Sequence, residues 1–110
     1  MTIKEVAAVL GAEICYDEFE DKPLESAYTS DLLSDVMGNA HDSGALITIQ
    51  AHKNTVAVAT LVNVSAIVIC NNRVIPEDML EAARDEGIAL LRSKENQFTV
   101  SGKIWELLKQ

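Results

Sequence analysis

The chain has 110 residues, 48% of them hydrophobic, with 9 lysines and arginines against 17 aspartates and glutamates. That length suits one domain, residues 1–110, and that apolar content argues against intrinsic disorder. A net charge of −8 repels a phosphate backbone, and the basic residues are scattered rather than clustered, so no nucleic acid partner is expected.

Thr2 and Glu5 fit a capping box, and Ile3, Val6, Ala7 and Leu10 follow at helical spacing as far as Gly11, which predicts a helix over residues 3–10. This mixed-charge start is unlike a signal peptide. The longest apolar run, residues 56–70, is broken by Thr60, Asn63 and Ser65 and falls short of a bilayer span. A cytoplasmic setting without membrane contact is therefore expected. Residues 12–15 read as a short strand and residues 16–25 as an acidic surface loop without the spacing of a calcium loop. Residues 26–29 suggest a second strand. Ser30 or Asp31 is expected to cap a helix over residues 32–39 whose inner face is Leu32, Leu33 and Val36.

Residues 44–73 organise the chain. A buried strand at 45–49 leads through the polar corner 50–54 to an apolar helix at 55–61 capped by Asn54. A second buried strand at 66–69 then opens onto Asn71, Asn72 and Arg73. Strand, helix and strand with short connections make a βαβ unit with parallel neighbours. Further on, Pro76, Glu77 and Asp78 suit a helix start, with Met79, Leu80 and Ala83 on one face and Gly87 at the end. A third buried strand is expected at 88–91. A final helix at 95–108, capped by Ser93, is expected to turn Phe98, Ile104, Trp105 and Leu108 inward. Gly102 inside it points to close packing or a break. The sum is an α/β domain: three layers, α/β/α, with a largely parallel sheet.

The helix TVAVATL is apolar on every side, and a sheet covers only one face. Either Val56, Val58, Ala59 and Val62 pack on a second copy in a homodimer, or the first or last helix of the same chain covers them.

The carboxyl ends of parallel strands gather on one edge, where ligands of open α/β sheets bind. Here that rim collects Ser30, Asp31, Gln50, His52, Asn54, Asn71, Asn72 and Arg73, with Lys53, Ser93 and Lys94 nearby. The set is rich in hydrogen-bonding groups and poor in nucleophiles, so an anion such as a phosphate or carboxylate suits it better than catalysis does. His41 precedes its strand and so falls at the opposite edge from His52; no metal site is expected. Cys70 and His52 lack an orienting third group, and neither cysteine sits in a paired motif. No glycine-rich phosphate loop or nucleophile elbow is present, so neither an enzyme nor a cofactor is expected.

Over residues 26–108 the chain resembles the DRTGG domain family. The resemblance rests on Ser30–Met37 (SDLLSDVM), Ile47–Ala59 (ITIQAHKNTVAVA) and Pro76–Leu91 (PEDMLEAARDEGIALL). It implies an α/β regulatory module, often dimeric, with the fold of the N-terminal domain of HPr kinase and no established catalysis. Relatives of the kind are joined to other domains, and with CBS domains the pair can bind adenine nucleotides, so the first expectation is a ligand-sensing module that takes an adenine nucleotide or other anion at the strand-end rim; the alternative is an assembly module without a small-molecule ligand, its apolar helix and acidic loop docking another protein. The motif that names the family would fall at residues 51–53 and 70–72, where neither its Asp-Arg nor its Thr-Gly-Gly survives. Asn71 and Asn72 partly replace the glycines because asparagine tolerates positive φ.

Overall fold

The computed structural model describes residues 1–109. Its elements in chain order are α1 (Ile3–Leu10), β1 (Glu13–Ile14), β2 (Ser26–Thr29), α2 (Leu33–Asn39), β3 (Gly44–Thr48), α3 (Lys53–Leu61), β4 (Ala66–Ile69), α4 (Glu77–Glu86), β5 (Ala89–Arg92) and α5 (Gln97–Leu108). The five strands form one sheet in the order β1-β5-β4-β3-β2. β2 to β5 are parallel, each beside its successor, and the two-residue β1 closes the far edge antiparallel to β5. β2 forms the other edge.

Each parallel connection moves one place in the same direction. Right-handed crossovers taken in one direction leave their helices on one face, and α2, α3 and α4 do share a face. Leu46, Ile67, Ile69 and Leu90 meet Val36, Val56, Ala59, Met79 and Ala83 there. The opposite face, with Ala45, Ile47, Val68 and Leu91, lies under α1 and α5 through Ile3, Val6, Val100 and Ile104. β3 and β4 are buried on both faces, which is why they read as unbroken apolar runs. The three-layer α/β/α architecture with a largely parallel sheet is thus present. Among the described residues no helix is long and apolar enough to cross a membrane.

Local chemistry sets most element ends. In the capping box, Thr2 Oγ1 accepts from the Glu5 amide at 3.3 Å and Glu5 Oε1 from the Thr2 amide at 2.9 Å. Gly11 and Gly87 close α1 and α4 in the left-handed conformation. Three expected caps differ. His52, not Asn54, caps α3, its Nδ1 accepting from the Asn54 amide at 3.0 Å, so the helix begins at Lys53. Asn96, not Ser93, caps α5 by accepting from the Thr99 amide at 2.9 Å. Leu32 precedes α2 without a side-chain cap and is 64% exposed, because the Asp31 carboxylate turns toward β3 instead.

Two expectations about apolar surface are overturned. Val56, Val58 and Ala59 are buried within the chain and Val62 is half-buried, because α3 lies between α2 and α4; neither α1 nor α5 covers it. The surplus that pointed to a second copy at these four residues is taken up internally, leaving Leu61 exposed. In α5, Phe98 is 87% exposed and Trp105 66%, not inward. Val100, Ile104 and Leu107 define the inner line at i, i+4 and i+7, and the two aromatics fall opposite it. Gly102 marks neither a break nor a tight contact: α5 is continuous, and a Cβ placed there meets nothing within 4 Å.

Candidate functional site

Because β2, β3 and β4 are parallel neighbours in register, their carboxyl ends place residues 30–31, 49–52 and 70–73 side by side. Asp31 joins them. Its Oδ1 accepts from Thr48 Oγ1 at 2.9 Å, from the Ile49 amide at 2.9 Å and from Gln97 Nε2 at 3.0 Å. Gln50 Nε2 donates back to the Asp31 carbonyl at 3.0 Å, and the Gln50 amide donates to Thr48 Oγ1 at 3.1 Å. One carboxylate thus ties the ends of β2 and β3 to the start of α5. Ser30 is occupied locally, its Oγ accepting from the Leu32 amide at 3.2 Å. Beside it the Tyr28 hydroxyl donates to Asp35 at 2.7 Å, which holds the Asp35 carboxyl below its ordinary pKa and raises that of the phenol.

The turn after β4 is pinned from the next strand. Asn71 and Asn72 both take the left-handed conformation, with φ of 62° and 52°, as the asparagine pair allowed. Their amides donate to the Glu95 and Ser93 carbonyls, each at 2.8 Å. Arg92 donates from Nε to the Arg73 carbonyl at 2.7 Å and from Nη2 to the Asn72 carbonyl at 2.9 Å. The turn therefore spends its two leading amides on the chain itself and presents side chains rather than a backbone cradle. Asn71, Asn72 and Arg73 are exposed, as are Gln50, His52, Lys53 and Lys94.

Of the eight rim residues read from the sequence, seven share this ledge. Asn54 enters α3 and, with Lys53, lines a groove of about 610 Å³ between α3 and α4 that continues along Ala57, Thr60, Leu61 and Ala82. The ledge itself is a shelf rather than a crevice, because the order β5-β4-β3-β2 contains no reversal to part the covering helices. Three supports escaped the sequence reading. Thr48 is the one polar residue of a fully buried strand, which signals a required partner. Arg92 closes an otherwise apolar strand. Gln97 carried no signal at all.

The nucleophile pairing fails on geometry. Cys70 is buried among the residues packed under α1 and α5, whereas His52 caps a helix on the other face, with Nδ1 already accepting. Burial, then the negative charge of Asp31, push the Cys70 thiol up to about 11, so it carries little thiolate near neutrality. Burial does the same to Cys15, also to about 11. Among the described residues no cluster of three metal-ligating side chains occurs.

No protein-family model matches the chain, and no curated protein does. Among solved structures it is similar to the CBS and DRTGG domains of the regulatory region of Clostridium perfringens pyrophosphatase, complexed with the activator diadenosine tetraphosphate, with a TM-score of 0.74 and 16% identity. The match covers 94% of this chain and 45% of that one, so the chain spans about half the length of the regulatory region it resembles. At this identity the likeness speaks for architecture alone, and the architecture it supports is a DRTGG-like α/β fold.

Proposed function

We propose that the chain is a non-catalytic, cytoplasmic regulatory module that works as a homodimer and senses an anionic small molecule, an adenine nucleotide foremost, on the ledge formed by Ser30, Asp31, Gln50, His52, Asn71, Asn72 and Arg73. One observation carries the reading: exposed amides and a guanidinium stand together on backbone that Asp31 and Arg92 already hold in place. A site that is ordered beforehand binds without the cost of ordering it. Arg73, Lys53 and Lys94 supply positive charge at the edge of an acidic protein, and Asn71 and Asn72 supply donors. The solved neighbour supports the class of ligand, since its regulatory region is complexed with a dinucleotide activator. Against catalysis stand a protonated, buried Cys70 and a histidine engaged as a cap.

Thermal denaturation with ATP and with diadenosine tetraphosphate tests this. Ligand at 100 times its Kd should add about 2.7 kcal/mol of stability. Arg73→Ala should abolish the shift while leaving the unliganded melt in place. If neither compound moves the wild-type transition, the ledge is not a nucleotide site. The alternative, an assembly module without a small-molecule ligand, draws on the apolar groove between α3 and α4 and on Leu61, 72% exposed at its rim. It predicts no nucleotide shift and a protein partner whose binding Leu61→Asp removes.

A further inference from the structure

Phe98, Gly102 and Trp105 lie within about 60° of one another around α5 at 100° per residue, directly opposite the buried Val100 and Ile104. They form the outermost line of the helix, two aromatic rings with a bare backbone saddle between them. Single exposed apolar side chains are ordinary; two aromatics in line, flanked by apolar grooves on both sides of one helix, form a continuous surface. One groove, about 490 Å³, runs between α5 and α1 along Val9, Phe98 and Leu107. The other, about 500 Å³, runs between α5 and the edge strand β2 along Ala27, Trp105 and Leu108.

Two features identify what fits this surface. The first is its symmetry. A two-fold axis midway between Ser101 and Gly102, with the helices antiparallel, sets Phe98 opposite Trp105 of a second copy and Trp105 opposite its Phe98. The same axis sets Ser101 opposite Gly102. Self-matching of this kind is the requirement of an isologous interface, and the glycine saddle lets the two backbones approach closely. The second is charge. Residues 94–109 hold three lysines and two glutamates out of chain totals of 9 basic and 17 acidic residues, which leaves 6 against 15 elsewhere. Lys103 and Lys109 are further matched to Glu95 at 2.7 Å and Glu106 at 3.8 Å. That segment therefore carries +1 while the rest of the chain carries −9, so like-charge repulsion opposes a second copy less along α5 than across the chain as a whole.

We infer that the outer line of α5, Phe98–Gly102–Trp105, is a self-association surface that takes a second copy of the same chain, the two helices crossing between Ser101 and Gly102 with each tryptophan set against the other copy's phenylalanine. The inference takes from the proposed function only that the chain pairs with itself, and it moves the contact from α3 to α5.

Sedimentation velocity over a concentration series tests it on three chains: wild type, the double variant Phe98→Glu with Trp105→Glu, and Gly102→Leu. The wild type should sediment as a dimer. The double variant should raise the dissociation constant by about 100-fold or more, as loss of central aromatic anchors does. Gly102→Leu should do likewise while its far-UV circular dichroism and thermal melt show an intact fold, since a side chain there has open space within the chain. A wild type that stays monomeric at all concentrations overturns the inference together with the dimer of the proposed function. A wild type that is dimeric, with both variants equally so, overturns the inference alone, because the copies then meet elsewhere, for example along the open edge of β2.

Discussion

The Tyr16 hydroxyl shows how much a single group can hold in place. It lies 2.9 Å from the carbonyl of Ala83 and 2.5 Å from that of Ile88, fastening the loop after β1 to the junction of α4 and β5. Nothing in the acidic run around it advertises this, since the partners are backbone atoms 67 and 72 residues away. Burial pushes the phenol up to about 12, against about 10 for an unfolded tyrosine. A folded pKa above the unfolded one means that the unfolded chain loses its proton first. The stabilisation is therefore complete below pH 10 and is lost as pH rises from about 10 to about 12. Tyr16→Phe should cost about 1–2 kcal/mol at neutral pH, and the cost should shrink across that alkaline window. Urea melts of the two chains from pH 7 to 11 check this. Asp31 teaches the same lesson at the ledge. Its place in the chain was legible, but its work was not, because three donors from β3 and α5 converge on it only in the fold.

At the scale of the element, the strands and helices were legible where pattern and burial agree. The apolar runs of β3 and β4, the capping box of α1 and the glycine that ends α4 were read correctly because each is a local signal. Caps failed where two polar residues competed. Each helix starts away from the expected cap: His52 accepts from the Asn54 amide just before α3, and Asn96 accepts from the Thr99 amide just before α5, while Ser93 accepts from the Glu95 amide at 3.1 Å in the turn that precedes it. On α5 the expected inner face held for Ile104 but not for Phe98 and Trp105, which lie on the side of the helix away from Val100, Ile104 and Leu107. The same helix offers a clean test of Gly102. Glycine costs about 1 kcal/mol relative to alanine inside a helix, and the methyl group meets no atom of the chain. In the double variant Phe98→Glu with Trp105→Glu, which breaks the proposed α5 contact, Gly102→Ala should therefore raise unfolding stability by about 1 kcal/mol in urea titrations.

For the whole molecule, the arrangement follows from three crossovers taken in one direction. They put α2, α3 and α4 together on one face, align four carboxyl ends along one edge, and return the chain to the face it shares with α1 only after β5, across the ledge itself. The parallel middle of the sheet was readable from short connections. The strand order was not, since it depends on which neighbour each strand finds, and with it went the knowledge that α3 is flanked on both sides. The match to part of a regulatory region agrees with this architecture.

The uneven spread of charge has a further consequence for two copies held through α5. Each brings a net charge of −8, made up of −9 outside the α5 segment and +1 within it. The long-range term between them is therefore repulsive, while the contact itself is apolar. Raising the ionic strength from 10 mM, where the screening length is about 30 Å, to 150 mM, where it is about 8 Å, should tighten association rather than loosen it. Equilibrium sedimentation at the two salt concentrations reads the sign directly, and an interface made of ion pairs would give the opposite one.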